Sequence, residues 1–215
     1  MGGCLLAEPD STFIQIGYNC PYRLHDMAER TLAYSQRISR RGTLKANLLY
    51  QGNHDRNQCQ AALGYLTRIT RHLHVGIEAE WLHTGIGDAH YESHNRLAAR
   101  ATLMAQAGPV SLTLHGGNRP LDPHRRYEYH LQCAWQPSPS LLAVAEVASE
   151  ERWRLRTGLE YRFERLFYLR VGAQSAPWRA TGGLGLRYRH YAIDFAAESH
   201  PALGLTPHLS MRLCF

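Results

Sequence analysis

Acidic and basic side chains recur through this chain at alternate positions, and residues of opposite sign fall where neighbouring strands would bring them face to face. Glu78 and Glu80 are followed by Arg96 and Arg100, and Arg154, Arg156 and Glu160 by Arg170, with Arg187 and Arg212 further on. A turn at Glu164–Leu166 sets Phe163 against Phe167, Tyr161 against Leu169 and Glu160 against Arg170. The hairpin upstream brings Glu78 near Arg100, and Glu80 near Arg96 or one residue pair away. Facing charges of opposite sign stabilise a sheet by a few tenths to about 1 kcal/mol each. Such a ladder can knit a polar interior together or line a path for a permeating ligand. Surplus arginine would favour anions if that interior is open.

Other chemistry finds less footing. Ser93-His94 and Ser199-His200 offer a nucleophile and a base, but both lie in expected loops. Sequence neighbours do not normally form such a pair, and no nucleophile motif surrounds them. The 13 histidines are scattered. His72 and His74 share a face, while His83, His90 and His94 fall in one loop without a carboxylate framework to make a zinc site. Gly182 and Gly185 lie mid-strand, which suits a bend or an inward protrusion rather than a phosphate loop. The expectation is a protein that is not an enzyme and holds no metal or cofactor.

Composition narrows the partners. The 215 residues are 44% hydrophobic and 20% charged, with 24 basic and 18 acidic side chains. The net charge of +6 is spread along the chain, without the basic cluster and interleaved aromatics that nucleic acid requires. Mean hydropathy is −0.39 and no apolar run approaches 18 residues, so membrane-spanning helices are excluded. A membrane barrel is not, because its strands alternate. The five cysteines have no metal-type spacing, and Cys59 and Cys133 sit in apolar registers. Met1-Gly2-Gly3-Cys4 fits neither a lipoprotein signal nor a myristoylation site.

The elements that must position the charges are strands. About fourteen segments alternate with a period of two, starting at Thr12–Tyr18 and ending at the terminal run. In that last run Leu209, Met211, Leu213 and Phe215 share one face, opposite His208, Ser210, Arg212 and Cys214. The ninth segment, Leu141–Ala148, departs from the pattern by being apolar on both faces apart from Glu146. Connections from odd to even strands read as mostly long and polar, and those from even to odd as short. That sorting marks an up-and-down membrane barrel with both termini on the periplasmic side. Burial argues the same way: a soluble barrel of about fourteen strands would have an interior too wide to fill. With the apolar face turned to lipid the difficulty vanishes. Aromatics near strand ends, among them Tyr18, Tyr50, Trp81, Tyr127, Trp135, Trp153, Tyr188 and Tyr191, suit interfacial girdles. The fold expected is therefore all-β: an up-and-down antiparallel transmembrane β-barrel of about fourteen strands over residues 12–215. A soluble all-β binding domain is the alternative.

Several stretches resemble PorV-like outer-membrane proteins, within the wider group of FadL-type barrels. They are Leu166–Ala173, Gly182–Gly185, Ile193–Ala196, His200–Thr206 and His208–Ser210, with Trp81–Gly87 and Leu32–Ser35 upstream. The resemblance implies a fourteen-stranded barrel in the outer membrane, handled by the barrel-assembly machinery. It implies either a secretion-associated or surface-assembly role, with partners on the extracellular loops, or a FadL-like channel for small hydrophobic molecules. A filled lumen would exclude the channel. In the family a signal peptide and a plug segment precede the first strand. Residues 1–11 stand in that place as a remnant, and Met1 is read as an internal start. The resemblance also makes Leu209, Met211, Leu213 and Phe215 the C-terminal signal for assembly. Deleting Phe215 is expected to lower the membrane-inserted, heat-modifiable fraction more than replacing any single lumen charge; equal insertion of the two variants would refute the assignment.

Overall fold

Alternation at a period of two gives each strand an apolar and a polar face, and a sheet of such strands leaves no edge unpaired only by closing on itself. The computed structural model describes residues 12–53, 56–86, 93–118, 127–149, 152–164 and 166–215, and in it the sheet closes. The strands are β1 (Phe13–Asn19), β2 (Glu29–Arg37), β3 (Gly42–Gly52), β4 (Arg56–Arg68), β5 (Leu73–Ile86), β6 (His94–Ala107) and β7 (Val110–Asn118). They continue with β8 (Tyr127–Ser138), β9 (Leu141–Ser149), β10 (Trp153–Phe163), β11 (Phe167–Gln174), β12 (Arg179–Tyr188), β13 (Tyr191–His200) and β14 (Gly204–Cys214). Each strand pairs antiparallel with its neighbours in sequence, and β14 pairs with β1 from Phe13–Cys214 to Asn19–His208. The N-terminal remnant, Cys4 and His90 lie outside the described residues.

Alternation decides which side faces out. Ile14, Ile16 and Tyr18 of β1 are exposed, as are Leu209 and Met211 of β14 beside them. The same holds around the wall, with Leu97 75% and Ile77 69% exposed, values no soluble domain sustains over a whole surface. The belt ends in aromatics on both sides. Tyr18, Tyr50, Tyr127 and Trp153 stand toward one rim, and Trp135, Tyr188, Tyr191 and Phe215 toward the other.

Several strands run past the alternating stretch that marks them in the sequence. β5 continues beyond Trp81 to Ile86, β11 beyond Val171 to Gln174 and β13 beyond Phe195 to His200, while β12 starts at Arg179 rather than Leu184. Outside an apolar belt both faces meet polar surroundings, so the hydropathy pattern fades while the hydrogen-bond ladder continues. The same extension shortens several odd-to-even connections. Those over 20–28, 87–93 and 119–126 are long, but 53–55, 150–152, 175–178 and 201–203 are not. The even-to-odd connections, such as 108–109, 139–140 and 189–190, are short throughout and share a rim with the start of β1 and the end of β14.

Ile77 pairs with Ala101 near the middle of the belt. Ile77→Arg is expected to lower unfolding free energy in vesicles by about 2–4 kcal/mol, and Ile77→Leu to leave it unchanged, as read by urea titration of tryptophan fluorescence. Equal stability of all three proteins would show that this face does not meet lipid.

Candidate functional site

The polar faces converge in the lumen, where arginines organise the carboxylates. On the β4–β8 side Arg100 is the hub. Its Nη1 lies 2.9 Å from Glu78, its cross-strand partner, and its Nη2 lies 3.5 Å from Glu80 and 3.1 Å from Glu128. Gln60 donates to the other Glu80 oxygen at 2.7 Å. Arg96 stands opposite Leu82, one inward pair from Glu80, and Glu80 meets Arg100 because a long guanidinium reaches diagonally across the ladder.

On the β9–β13 side Glu160 and Arg170 face each other at 2.7 Å, and Arg170 continues to Asp194 at 2.5 Å. Arg156 meets Glu146 at 2.8 Å and Gln174 at 3.1 Å, and His130 reaches the same Glu146 oxygen. Arg179 pairs with Glu198 at 2.6 Å, while Arg154 lies opposite Ala148. Glu128, Asp194, Glu198 and Arg179 carry no charge-ladder signal in the sequence, and Glu146 stands out there only as the polar exception of its segment. The inward register of each strand is the signal that would have found them, as Arg156–Glu146 and Gly185–Asp194 follow from hairpin pairing.

Beside the second network lies a cavity of about 520 Å³ in the half of the lumen nearer the longer connections. Leu142 and Val144 of β9 form its apolar wall with Gly158, and Glu146, Arg156, Glu160 and Arg170 its polar one. The doubly apolar character of β9 is thereby explained, since its outward residues meet the belt and its inward ones the cavity. The β1–β2 connection covers the mouth with Tyr22 and Met27. Two short 3-10 turns, Pro21–Arg23 and His25–Met27, fold it inward. The Tyr22 N–H donates to Thr206 Oγ1 at 3.0 Å, the Cys20 N–H to the Pro207 carbonyl, and the Tyr22 ring stands edge-on to His200. His200 Nδ1 also accepts from the backbone N–H groups of Ala202 and Leu203, so it is engaged in a turn rather than poised beside Ser199.

Toward the short-turn rim the inward side chains pack into a floor, in which Phe13, Ser35, Thr43, Leu66, His74, Tyr168, Ala192 and Arg212 are buried. Tyr168 is the centre of this floor. Arg162 and Arg187 stack on its ring at 4.8 and 5.0 Å, with Arg170 at 5.7 Å. Arg212 lies 4.4 Å from the Phe13 ring and donates to Gln15 Oε1 at 3.0 and 2.7 Å. A Cβ at Gly185 would displace the Asp194 carboxylate that Arg170 holds. A smaller cavity of about 160 Å³ remains beside Lys45, Arg100, His115 and Gln132.

The backbone wall around the large cavity is continuous. β10 and β11 pair without interruption from Arg156–Gln174 to Phe163–Phe167, through the facing glycines Gly158 and Gly172. Among the described residues, the register shifts in the β8–β9 ladder, between Trp135 and Ser138 near the short-turn rim.

No protein-family model matches the chain, and no curated protein matches it by sequence. Solved structures do match it in shape. The CymD monoaromatic hydrocarbon channel aligns with a TM-score of 0.71 and 8% identity over 96% of this chain and 89% of that one. The Ralstonia pickettii toluene transporter TbuX gives 0.71 and 10% over 96% and 90%, and a deletion mutant of the TodX monoaromatic hydrocarbon channel 0.66 and 10% over 96% and 89%. The likeness is one of fold: the chain has the closed antiparallel barrel that these channels have.

Proposed function

We propose that the chain is an outer-membrane channel for small hydrophobic molecules, with its termini and short turns on the periplasmic side and no catalytic role. The observation that carries the reading is the half-open lumen. A cavity of about 520 Å³ lies within the range of about 300–1,000 Å³ typical of small-molecule sites, and it has an apolar wall at Leu142 and Val144. The solved structures of like fold include a monoaromatic hydrocarbon channel and a toluene transporter, which suits one apolar wall in a charged lumen. The PorV-like secretion role draws no comparable support from these neighbours.

In this reading cargo enters beneath the β1–β2 connection and rests against β9, and the floor around Tyr168 must rearrange for release. The cation–π contacts of Arg162 and Arg187 suit such a floor, because each is worth about 0.5–2 kcal/mol and can be exchanged for water. The charge networks keep the wall rigid while the floor moves. Lipid surrounds the belt, the barrel-assembly machinery inserts the chain, and Leu209, Met211, Leu213 and Phe215 serve that step.

Cells displaying the barrel are expected to take up radiolabelled toluene several-fold faster than vector controls, and Val144→Trp to return uptake toward background with unchanged heat-modifiable migration. Uptake equal to the control would sink the channel reading. In planar bilayers the wild type is expected to show little ion conductance and Tyr168→Ala steady openings; a silent Tyr168→Ala variant would show that Tyr168 does not hold the floor shut.

A further inference from the structure

At the short-turn rim the β2–β3 and β4–β5 connections lie side by side. Gly42 pairs with Thr67, and the Arg68 N–H donates to the Arg41 carbonyl at 2.7 Å. Five arginines are thereby gathered: Arg37, Arg40, Arg41, Arg68 and Arg71. Two of their guanidinium groups are already oriented, since Arg37 Nη2 and Arg68 Nη2 each donate to the Arg40 carbonyl at 3.3 Å. Arg37 Nε donates to the Ser39 carbonyl as well. No carboxylate among the described residues pairs with any of the five, and Glu164 is the acid on the described short turns.

Apolar side chains stand in the same place. Ile38 and Ile69, on these two turns, are 59% and 56% exposed and continue the outward registers of Tyr34 and Tyr65. Arg40 and Arg71 follow two residues later, one step beyond the last apolar position. A wall that meets acyl chains as far as Ile38 and Ile69 must meet headgroups at the next layer. Arginine presents a planar fork matched to phosphate oxygens, and Lys45, inside the barrel, is the one lysine of the chain.

We propose that this arginine cluster binds the phosphodiester headgroup of an anionic phospholipid, of the phosphatidylglycerol type, in the leaflet at the short-turn end. The site rests on the membrane-barrel part of the function above and is independent of cargo. An acidic protein would match the charge, but it would have no use for an apolar shelf directly beneath it. A lipid uses both, with its chains against Ile38 and Ile69 and its phosphate against Arg40, Arg41 and Arg71.

The full chain, reconstituted in phosphatidylcholine vesicles with traces of spin-labelled phosphatidylglycerol or phosphatidylcholine, tests this through the motionally restricted lipid fraction. Phosphatidylglycerol is expected to be enriched about fivefold or more, the gain from even one cation near the headgroup. Enrichment should fall toward parity in high salt and in the triple variant R40E/R41E/R71E. It should be kept only in part in R40K/R41K/R71K, which retains the charge without the fork, and in full in R30E/R56E at the opposite rim. Parity in the wild type would overturn the proposal, as would enrichment that the triple glutamate variant keeps. Salt titration of the wild type decides the matter even if that variant fails to insert. Binding of polyglutamate without lipid preference would also overturn it, in favour of an acidic polypeptide partner. Failure of the wild type to insert at all, read by its lack of heat-modifiable migration, would instead refute the membrane barrel.

Discussion

A strand in hydrocarbon has no water to satisfy its N–H and C=O groups, so every strand must be paired on both sides. The β1–β14 ladder meets that requirement, because without it the wall would end in two bare edges. Closure then fixes everything else about side-chain placement. One parity of each strand faces outward and is apolar, while the other faces the lumen, where charges must find one another. Arg100 and Arg170 each gather more than one carboxylate because the inward faces of several strands converge on them.

How much of this could be read from residue order depends on the distance over which the controlling interaction acts. The alternation is a local property, so all fourteen strands were legible, and the Glu164–Leu166 turn carried the register that joins Glu160 to Arg170. Contacts that skip a strand were not legible. Arg100 on β6 reaches Glu128 on β8 across β7, and no hairpin rule supplies that pairing. The floor was hidden for a related reason. Tyr168 looks like an ordinary inward residue of β11, and its role appears only when arginines from β10, β11 and β12 meet over its ring. The cavity left one trace, the apolar inner face of β9.

The lumen holds two opposite materials. Its charged networks are paired and hydrogen-bonded, which keeps the wall in one register. Its floor is aromatic and cationic, held by contacts that lose little on rearrangement. The continuous β10–β11 ladder beside the cavity leaves no gap in the wall there.

The cover of the mouth has a consequence for the order of folding. Tyr22 lies next to the first strand in sequence, yet its N–H is held by Thr206 on the last, 184 residues away. Cys20 is held by Pro207 on that same strand. Neither bond can form until β14 has met β1, so the cover cannot take its place while the sheet is still open. Contacts of such long range come late because the intervening chain must first be ordered. The inward-folded β1–β2 connection is therefore a record of completion: a molecule that carries it has already become a cylinder.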